Sequence, residues 1–342
     1  MLDHLVFIGR FAPLHNGHVH VIKEAMTKAK KVHVLVGSAN SARNPRNPFT
    51  FAERRDTIVN TFLDDFVTKV EVYPINDYPY NDNKWIAEVQ STIAFATGNS
   101  NSVGLIGYSK DHTSYYLKMF PQWKSVNVDA QYSTLNSSDI RREYFKDFYR
   151  IPDEAHCPKP VVEFLTRFTK TEEFKWLVEA NKFNVSYNPR KYDNDIVACV
   201  DAVVVQSGHV LLIRRKDHPG KGLLALPGGH VDKREKFLDA CIRELKEETH
   251  IADSKGEIPP AMLKSFITKK DFFDDPHRSL RARVTSMAYL FELPNRTELF
   301  DVRGDDDAER LTKKDMWHPL GSLKPTDFHD DHYHIIQTML GK

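Results

Sequence analysis

The sequence predicts an α/β fold in two domains, the first built on a doubly wound parallel sheet. Three observations carry this. Through the first half, short wholly apolar runs alternate with amphipathic helical segments, the pattern of strands buried on both faces and joined by crossover helices. The 342 residues exceed what one ordinary core holds. Beyond about residue 195 the pattern shifts to β-branched runs, tight turns and one long charged helix.

The elements follow in order. Residues 5–8 (Leu-Val-Phe-Ile) form a short apolar strand, and Val19, Ile22, Met26 and Ala29 then recur at helical spacing. Residues 32–36 make a second strand, closed by Gly37. A loop with two prolines and two arginines (41–48) leads to a helix over about 50–62 and a strand over 70–74. A polar loop (76–83) precedes a helix carrying Trp85, Ile86 and Val89. Residues 103–106 and 125–128 read as further strands, 139–149 as a helix, and 161–183 as one or two helices. We place the first domain at 1–185, a polar linker at 186–195 and the second domain at 196–342. There, 197–205 and 210–213 flank a hairpin turn, Pro227, Gly228 and Gly229 make a second turn, and 236–249 form the charged helix. A strand over 285–293 and a terminal helix with Ile335, Ile336 and Met339 complete it.

Composition limits the function. The chain is 41% hydrophobic and 28% charged, which excludes wholesale disorder, a collagen-like fibre and a membrane bundle. Lys+Arg 48 against Asp+Glu 47 leaves a net charge of +1, so bulk charge makes no case for nucleic acid or an acidic membrane as partner. The 5–8 run is too short for a signal-peptide core, and no stretch approaches the roughly 18 apolar residues of a membrane span. Cys157, Cys199 and Cys241 form no CxxC pair. The expectation is a reduced, cytoplasmic protein.

The first chemical constellation is Gly9-Arg10-Phe11-Ala12-Pro13-Leu14-His15-Asn16-Gly17-His18, which leaves the first strand and opens the first helix. Ligands of open parallel sheets bind there, and a helix N-terminus with free N–H groups suits phosphate. Gly17 lets a ligand approach the backbone. His15 and His18 can both donate to one phosphate, and Arg10 adds a permanent forked charge. The string resembles the HxGH signature of the nucleotidyltransferase superfamily, in which the histidines contact a nucleoside triphosphate and stabilise charge at the attacked α-phosphate. Leu135-Asn136-Ser137-Ser138-Asp139-Ile140-Arg141 resembles that family's ISSTxxR motif, with Asn136 for Ser and Ser138 for Thr; Ser137, Ser138 and Arg141 make a second anion site. The segments around Arg54 (47–54) and around Lys110 and Asp111 (107–111) resemble the archaeal-type nicotinamide mononucleotide (NMN) adenylyltransferases. That resemblance covers about residues 1–180. It implies a Rossmann-like sheet and the reaction of NMN with ATP to NAD and pyrophosphate, with Mg²⁺ or Mn²⁺ on the triphosphate. Trp85 is either a platform for the nicotinamide ring or a helix core residue.

The second constellation is Gly229-x5-Glu235-x7-Arg243-Glu244-Leu245-x-Glu247-Glu248-x-His250-Ile251. At 100° per residue Glu244, Glu247 and Glu248 fall within an arc of about 100°. Carboxylates so crowded weaken a helix unless a cation joins them, and hard Mg²⁺ or Mn²⁺ suits carboxylate oxygen. The string resembles the Nudix box at eight of nine defined positions. The departure is His250, where the family's glycine ends the helix in a left-handed conformation. The resemblance implies an α/β/α sandwich with a mixed sheet and hydrolysis of a diphosphate-linked nucleoside. It also implies Glu244, Glu247 and Glu248 as metal ligands, Glu247 or Glu248 assisting water, and supporting roles for Gly228, Gly229, Glu235 and Arg243. Residues 271–278 and 304–308 resemble loops of the ADP-ribose branch, although Asp305, Asp306 and Asp307 read equally as a solvated turn. A run of His329, Asp330, Asp331, His332 and His334 reads as a polar helix start rather than a metal site. The expected substrates are therefore ATP, NMN and ADP-ribose. The alternatives are another acceptor, a dinucleotide- or NADH-cleaving hydrolase, or a non-hydrolysing ADP-ribose sensor.

Overall fold

The computed structural model describes all residues except 64–67, 108–116, 129–131, 133, 188–195, 305–310 and 342. The chain divides into two compact units, Met1–Asn181 and Lys182–Lys342.

In the first unit, β1 (Leu2–Gly9), β2 (Ala29–Val36), β3 (Val70–Pro74), β4 (Val103–Gly107) and β5 (Lys124–Asn127) form one sheet in the order β3-β2-β1-β4-β5. Every pairing is parallel. The wholly apolar runs arise because both faces are covered. Leu5 and Phe7 face one core with Val32 and Val34, while Val6 and Ile8 face the other with Leu35 and Leu105. His33 interrupts the apolar run of β2 on the second face, lodged 3.0 Å from His4 and 3.2 Å from Glu71; burial pushes its pKa down to about 4.

The crossovers are α1 (Asn16–Lys28), α2 (Phe51–Thr61) and α3 (Asp82–Thr97), followed by α4 (Ser137–Tyr144), α5 (Lys159–Phe168) and α6 (Glu172–Ser186). Thr50 caps α2 reciprocally with Glu53. Asn81 caps α3, which ends at left-handed Gly98. The helix expected over 139–149 instead runs Ser137–Tyr144, because Asn136 accepts from the Asp139 N–H at its start and Phe145 leaves the helix to bury its ring.

The second unit carries a six-stranded mixed sheet. Its strands are β6 (Ile196–Gln206), β7 (His209–Leu211), β10 (Gly228–His230), β13 (Ile267–Phe273), β14 (Arg283–Glu292) and β15 (Trp317–Pro319), ordered β13-β14-β6-β7-β15 with β10 also on β6. The β14–β6 pair is parallel. Small ladders pair β8 (Ile213–Arg214) with β9 (Leu224–Ala225) and β11 (Ala252–Asp253) with β12 (Gly256–Glu257). Helices α7 (Phe237–Thr249), α8 (Pro260–Ser265), α9 (Lys313–Met316) and α10 (His332–Met339) complete it. The apolar stripe of α7, with Cys241, Ile242 and Leu245, packs on Val200, Ala202 and Val204 of β6.

Two expectations are corrected here. The strand expected over 210–213 is split between two sheets, because the Leu212 N–H turns to the Met316 carbonyl and Ile213 pairs with Ala225. Strand β13 was not expected at all. It is an edge strand carrying Lys269, Lys270 and Asp271, the charged composition that keeps an edge from pairing with other chains, so it lacks apolar alternation. Among the described residues no helix is long and apolar enough to cross a membrane.

Candidate active sites

In the first unit, strand β1 sits between β2 and β4, and the chain leaving it crosses the carboxyl edge of the sheet before α1 begins. His15 is the N-cap of α1: its Nδ1 accepts from the Gly17 N–H at 3.1 Å, and His18 Nδ1 accepts from the His15 N–H at 3.3 Å. Backbone donors thus occupy both Nδ1 atoms, which fixes each neutral ring with its proton on Nε2, a donor. The rings stack with centroids 3.7 Å apart. Burial, then the neighbouring His15, holds His18 well below the ordinary imidazole pKa. Gly17 suits this stacking, since a Cβ there would stand 3.0 Å from His15 Cε1 and press on the ring.

Helix α4 closes on the same loop. Ser137 Oγ donates to the Pro13 carbonyl at 3.1 Å. Arg141 donates to the Ala12 carbonyl at 2.6 Å and to Ser138 Oγ at 3.1 Å. Burial, then Arg10 and Arg46, pushes Arg141 down to about 9; burial, then Arg46, pushes Arg10 to about 10. Three guanidiniums are gathered here, with Asp77 the carboxylate acting on Arg10, and their combined positive field suits a polyanion. Arg46 belongs to this cluster, and sequence reasoning missed it. The only signal was a loop with two arginines, of which Arg43 is taken up by a forked pair with Glu53.

Two expected contact residues lie sealed inside. Phe11 is 1% exposed, its ring filling the space beside Gly9 and resting 4.9 Å from His18. Arg54 is 2% exposed and donates to backbone carbonyls. Trp85 is half-buried, packed against the core of Val6, Leu35 and Val89 with its ring 5.8 Å from Phe120. Lys110 and Asp111 lie outside the described residues.

In the second unit, Gly228 and Gly229 on β10 pair with Asp201 and Val200 of β6, which brings the turn onto the C-terminal half of α7. A Cβ on Gly229 would lie 2.5 Å from Glu244 Oε1, so the missing side chain makes room for that carboxylate. Arg243 is the hub. It donates a fork to Glu235 (3.0 and 2.9 Å), and further bonds to Glu244 (2.8 Å), Glu247 (3.1 Å) and the His230 carbonyl (3.1 Å). These bonds, Glu235 first, raise its pKa, and Arg243 in turn lowers that of Glu235. Glu248 is 3% exposed and accepts from the Gly228 N–H at 2.9 Å.

Among the described residues no three His, Cys, Asp or Glu side chains converge as a ready metal cage, because Glu244 and Glu247 point at Arg243 and Glu248 at Gly228. The set nevertheless fits a hard cation. Its donors are all carboxylate oxygen, Glu244 and Glu247 share one guanidinium with Glu235, and the space beside Gly229 is already cleared for Glu244.

His250 takes the left-handed conformation (φ 42°) after α7, its N–H closing on the Lys246 carbonyl at 2.9 Å. The C-cap is therefore kept with a residue that strains there, partly offset by the Glu257 carboxylate 3.1 Å from its Nδ1. Replacing His250 with Gly should stabilise this unit by about 1 kcal/mol, read as a higher urea midpoint with unchanged slope. A lowered midpoint would show that the Glu257 contact outweighs the strain.

A cytidylyltransferase-like family model matches residues 6–143, and a NUDIX domain model matches residues 196–339. Over 186 residues, 54% of this chain and 97% of the relative, the chain is 34% identical to the nicotinamide/nicotinic acid mononucleotide adenylyltransferase of Acinetobacter baylyi. Over 148 residues, 43% of this chain and 75% of the relative, it is 33% identical to the ADP-ribose pyrophosphatase of Methanocaldococcus jannaschii. A crystal structure of a bifunctional NMN adenylyltransferase/ADP ribose pyrophosphatase from Francisella tularensis, complexed with AMP and a Mn ion, superposes with a TM-score of 0.89 at 32% identity. It covers 100% of this chain and 99% of that one. The chain belongs to this bifunctional NMN adenylyltransferase/ADP-ribose pyrophosphatase family. In family terms the histidine pair and its arginines lie in the adenylyltransferase half, and the Arg243 hub lies in the Nudix half.

Proposed function

We propose that this chain makes NAD from NMN and ATP in its N-terminal domain (1–185) and hydrolyses ADP-ribose in its C-terminal domain (196–342), with 186–195 as linker. The observation that carries the reading is a pair of polyphosphate-suited sites of opposite design. One unit offers neutral imidazole donors and a cluster of arginines; the other offers a carboxylate trio beside a glycine turn.

In the transfer, an oxygen of the NMN 5′-phosphate attacks the α-phosphorus of ATP, the bond to the β-phosphate oxygen breaks, and pyrophosphate leaves. No side-chain nucleophile is needed; orientation and charge stabilisation suffice. His15 and His18 donate from Nε2 to phosphate oxygens, while Arg10, Arg46 and Arg141 balance the triphosphate charge. Ser137 and Ser138 hold the α4 mouth against the histidine loop, Gly9 and Phe11 shape that loop, and Arg54 supports it from behind. Contact of Trp85, Lys110 and Asp111 with the acceptor is proposed on the family resemblance alone.

In the hydrolysis, water attacks a phosphorus of the diphosphate, giving AMP and ribose 5-phosphate. Glu244, Glu247 and Glu248 would hold Mg²⁺ or Mn²⁺, which when bound supplies charge neutralisation and a more acidic water. Glu247 or Glu248 would accept the proton of the attacking water. Arg243, anchored on Glu235, sets the directions of Glu244 and Glu247, and Gly228 fixes Glu248 through its N–H. Mg²⁺ also accompanies ATP in the first domain. The cysteines are unpaired, which supports a reducing, cytoplasmic setting.

The test is product analysis of the purified chain, with ATP and each of NMN, nicotinate mononucleotide and phosphopantetheine, and separately with ADP-ribose, NADH and a dinucleoside polyphosphate. NAD from NMN, and AMP with ribose 5-phosphate from ADP-ribose, are expected. Product from phosphopantetheine but not NMN would overturn the first assignment, and NADH cleavage without ADP-ribose cleavage the second.

A further inference from the structure

Arg54 presents a physical puzzle. Its side chain is sealed in the first unit at 2% exposure, and burial pushes its pKa down to about 10. A charge so buried is normally matched by a carboxylate. Its four hydrogen bonds instead go to backbone carbonyls: Nη1 to Arg10 at 2.8 Å and to Gly37 at 2.7 Å, Nη2 to Ser38 at 2.9 Å and Nε to Thr50 at 3.3 Å. Asp77, opposed by Arg10, and then Glu53 act on it through space, without a hydrogen bond to either carboxylate.

The position of those carbonyls gives the arrangement its meaning. Arg10 follows the last residue of β1; Gly37 and Ser38 follow the last residue of β2. The two strands are still joined there by the Gly37 N–H to the Gly9 carbonyl, at 2.9 Å. Beyond that bond the chains part, one toward the histidine loop and one toward the loop that carries Arg46. A planar guanidinium is the side chain that reaches three carbonyls in fixed directions at once. By drawing them inward it sets the backbone of Arg10, one residue before Phe11, which adopts φ 50° and packs against His18.

We infer that Arg54 is a positioning residue for nucleotidyl transfer: it ties the ends of β1 and β2 together behind the phosphate cradle and adds its charge to the positive field of that cradle. The inference rests on the adenylyltransferase reading of this unit. It separates two contributions. The fork geometry fixes where Arg10 and the histidines stand at the transition state, which acts on kcat. The positive charge, which no carboxylate meets by a hydrogen bond, attracts ATP, which acts on KM.

Two substitutions in the full chain divide these contributions. Arg54→Lys keeps the charge but cannot span three carbonyls; Arg54→Met removes both. With Arg54→Lys, kcat for NAD formation should fall at least about 30-fold with the KM for ATP within threefold. With Arg54→Met, the KM for ATP should also rise at least about tenfold. ADP-ribose hydrolysis by the same preparations reports the amount of intact second unit, and far-ultraviolet circular dichroism with thermal melts reports the first. If Arg54→Met fails to fold, the Arg54→Lys split alone decides. Wild-type kcat in Arg54→Lys would overturn the inference, as would losses that merely track the unfolded fraction. Failure of the wild-type chain to make NAD would instead strike the functional reading on which this one stands.

Discussion

Glu247→Gln is expected to lower ADP-ribose hydrolysis on the order of 10³-fold while leaving NAD formation within twofold of wild type. The magnitude follows from removing one charged donor from a site whose cation chemistry is worth several kcal/mol, at tenfold per 1.36 kcal/mol. The selectivity follows from placement. Glu247 projects from α7, its side chain 46% exposed and in contact with Arg243, and plays no part in the core of the second unit. The substitution is close in shape, so folding is preserved. Steady-state release of AMP measures one activity and NAD formation the other. Parallel loss of both would show that the two reactions do not have separate sites.

His18→Ala is expected to have the converse effect: NAD formation falls about 10²–10³-fold, the usual cost of deleting one preorganised donor to developing charge, and ADP-ribose hydrolysis stays unchanged. His18 is more than a donor. Its Nδ1 receives the His15 N–H and its ring stacks on His15, so the substitution also frees the partner imidazole. His15→Ala should therefore not add its full effect in the double variant. Because burial holds His18 well below the ordinary imidazole pKa, its neutral form is already populated at pH 6.5. The wild-type rate should show no protonation step at that pH from this residue. Unchanged NAD formation in His18→Ala would remove the histidine from the mechanism.

Much of this was legible in the sequence, for identifiable physical reasons. Strands β1 and β2 are unbroken apolar runs because both their faces are buried. The HxGH string and the Nudix box carry their geometry locally: a cap at i and i+3 and a carboxylate face on one helix need only helical periodicity. What the sequence hid was tertiary. Arg46 joins Arg10 and Arg141 only once the 41–48 loop folds over the sheet edge. Arg54 looked like a ligand contact because it is a cation within a familiar string, yet the fold turns it onto carbonyls. Edge strand β13 escaped notice because an edge is charged rather than alternating. His250 looked like a break in the box, but the backbone adopts the left-handed turn regardless.

The account depends most on two phosphate-binding centres in one chain, each with its own chemistry. A crystal structure of the Glu247→Gln chain with a non-hydrolysable ATP analogue, ADP-ribose and Mg²⁺ tests it directly. The triphosphate should lie within hydrogen-bonding distance of the His15 and His18 Nε2 atoms and of Arg141, with the ADP-ribose diphosphate against Glu244, Glu248 and the Gly228–Gly229 turn. Triphosphate bound away from the histidines, or ADP-ribose lodged in the first unit, would contradict it.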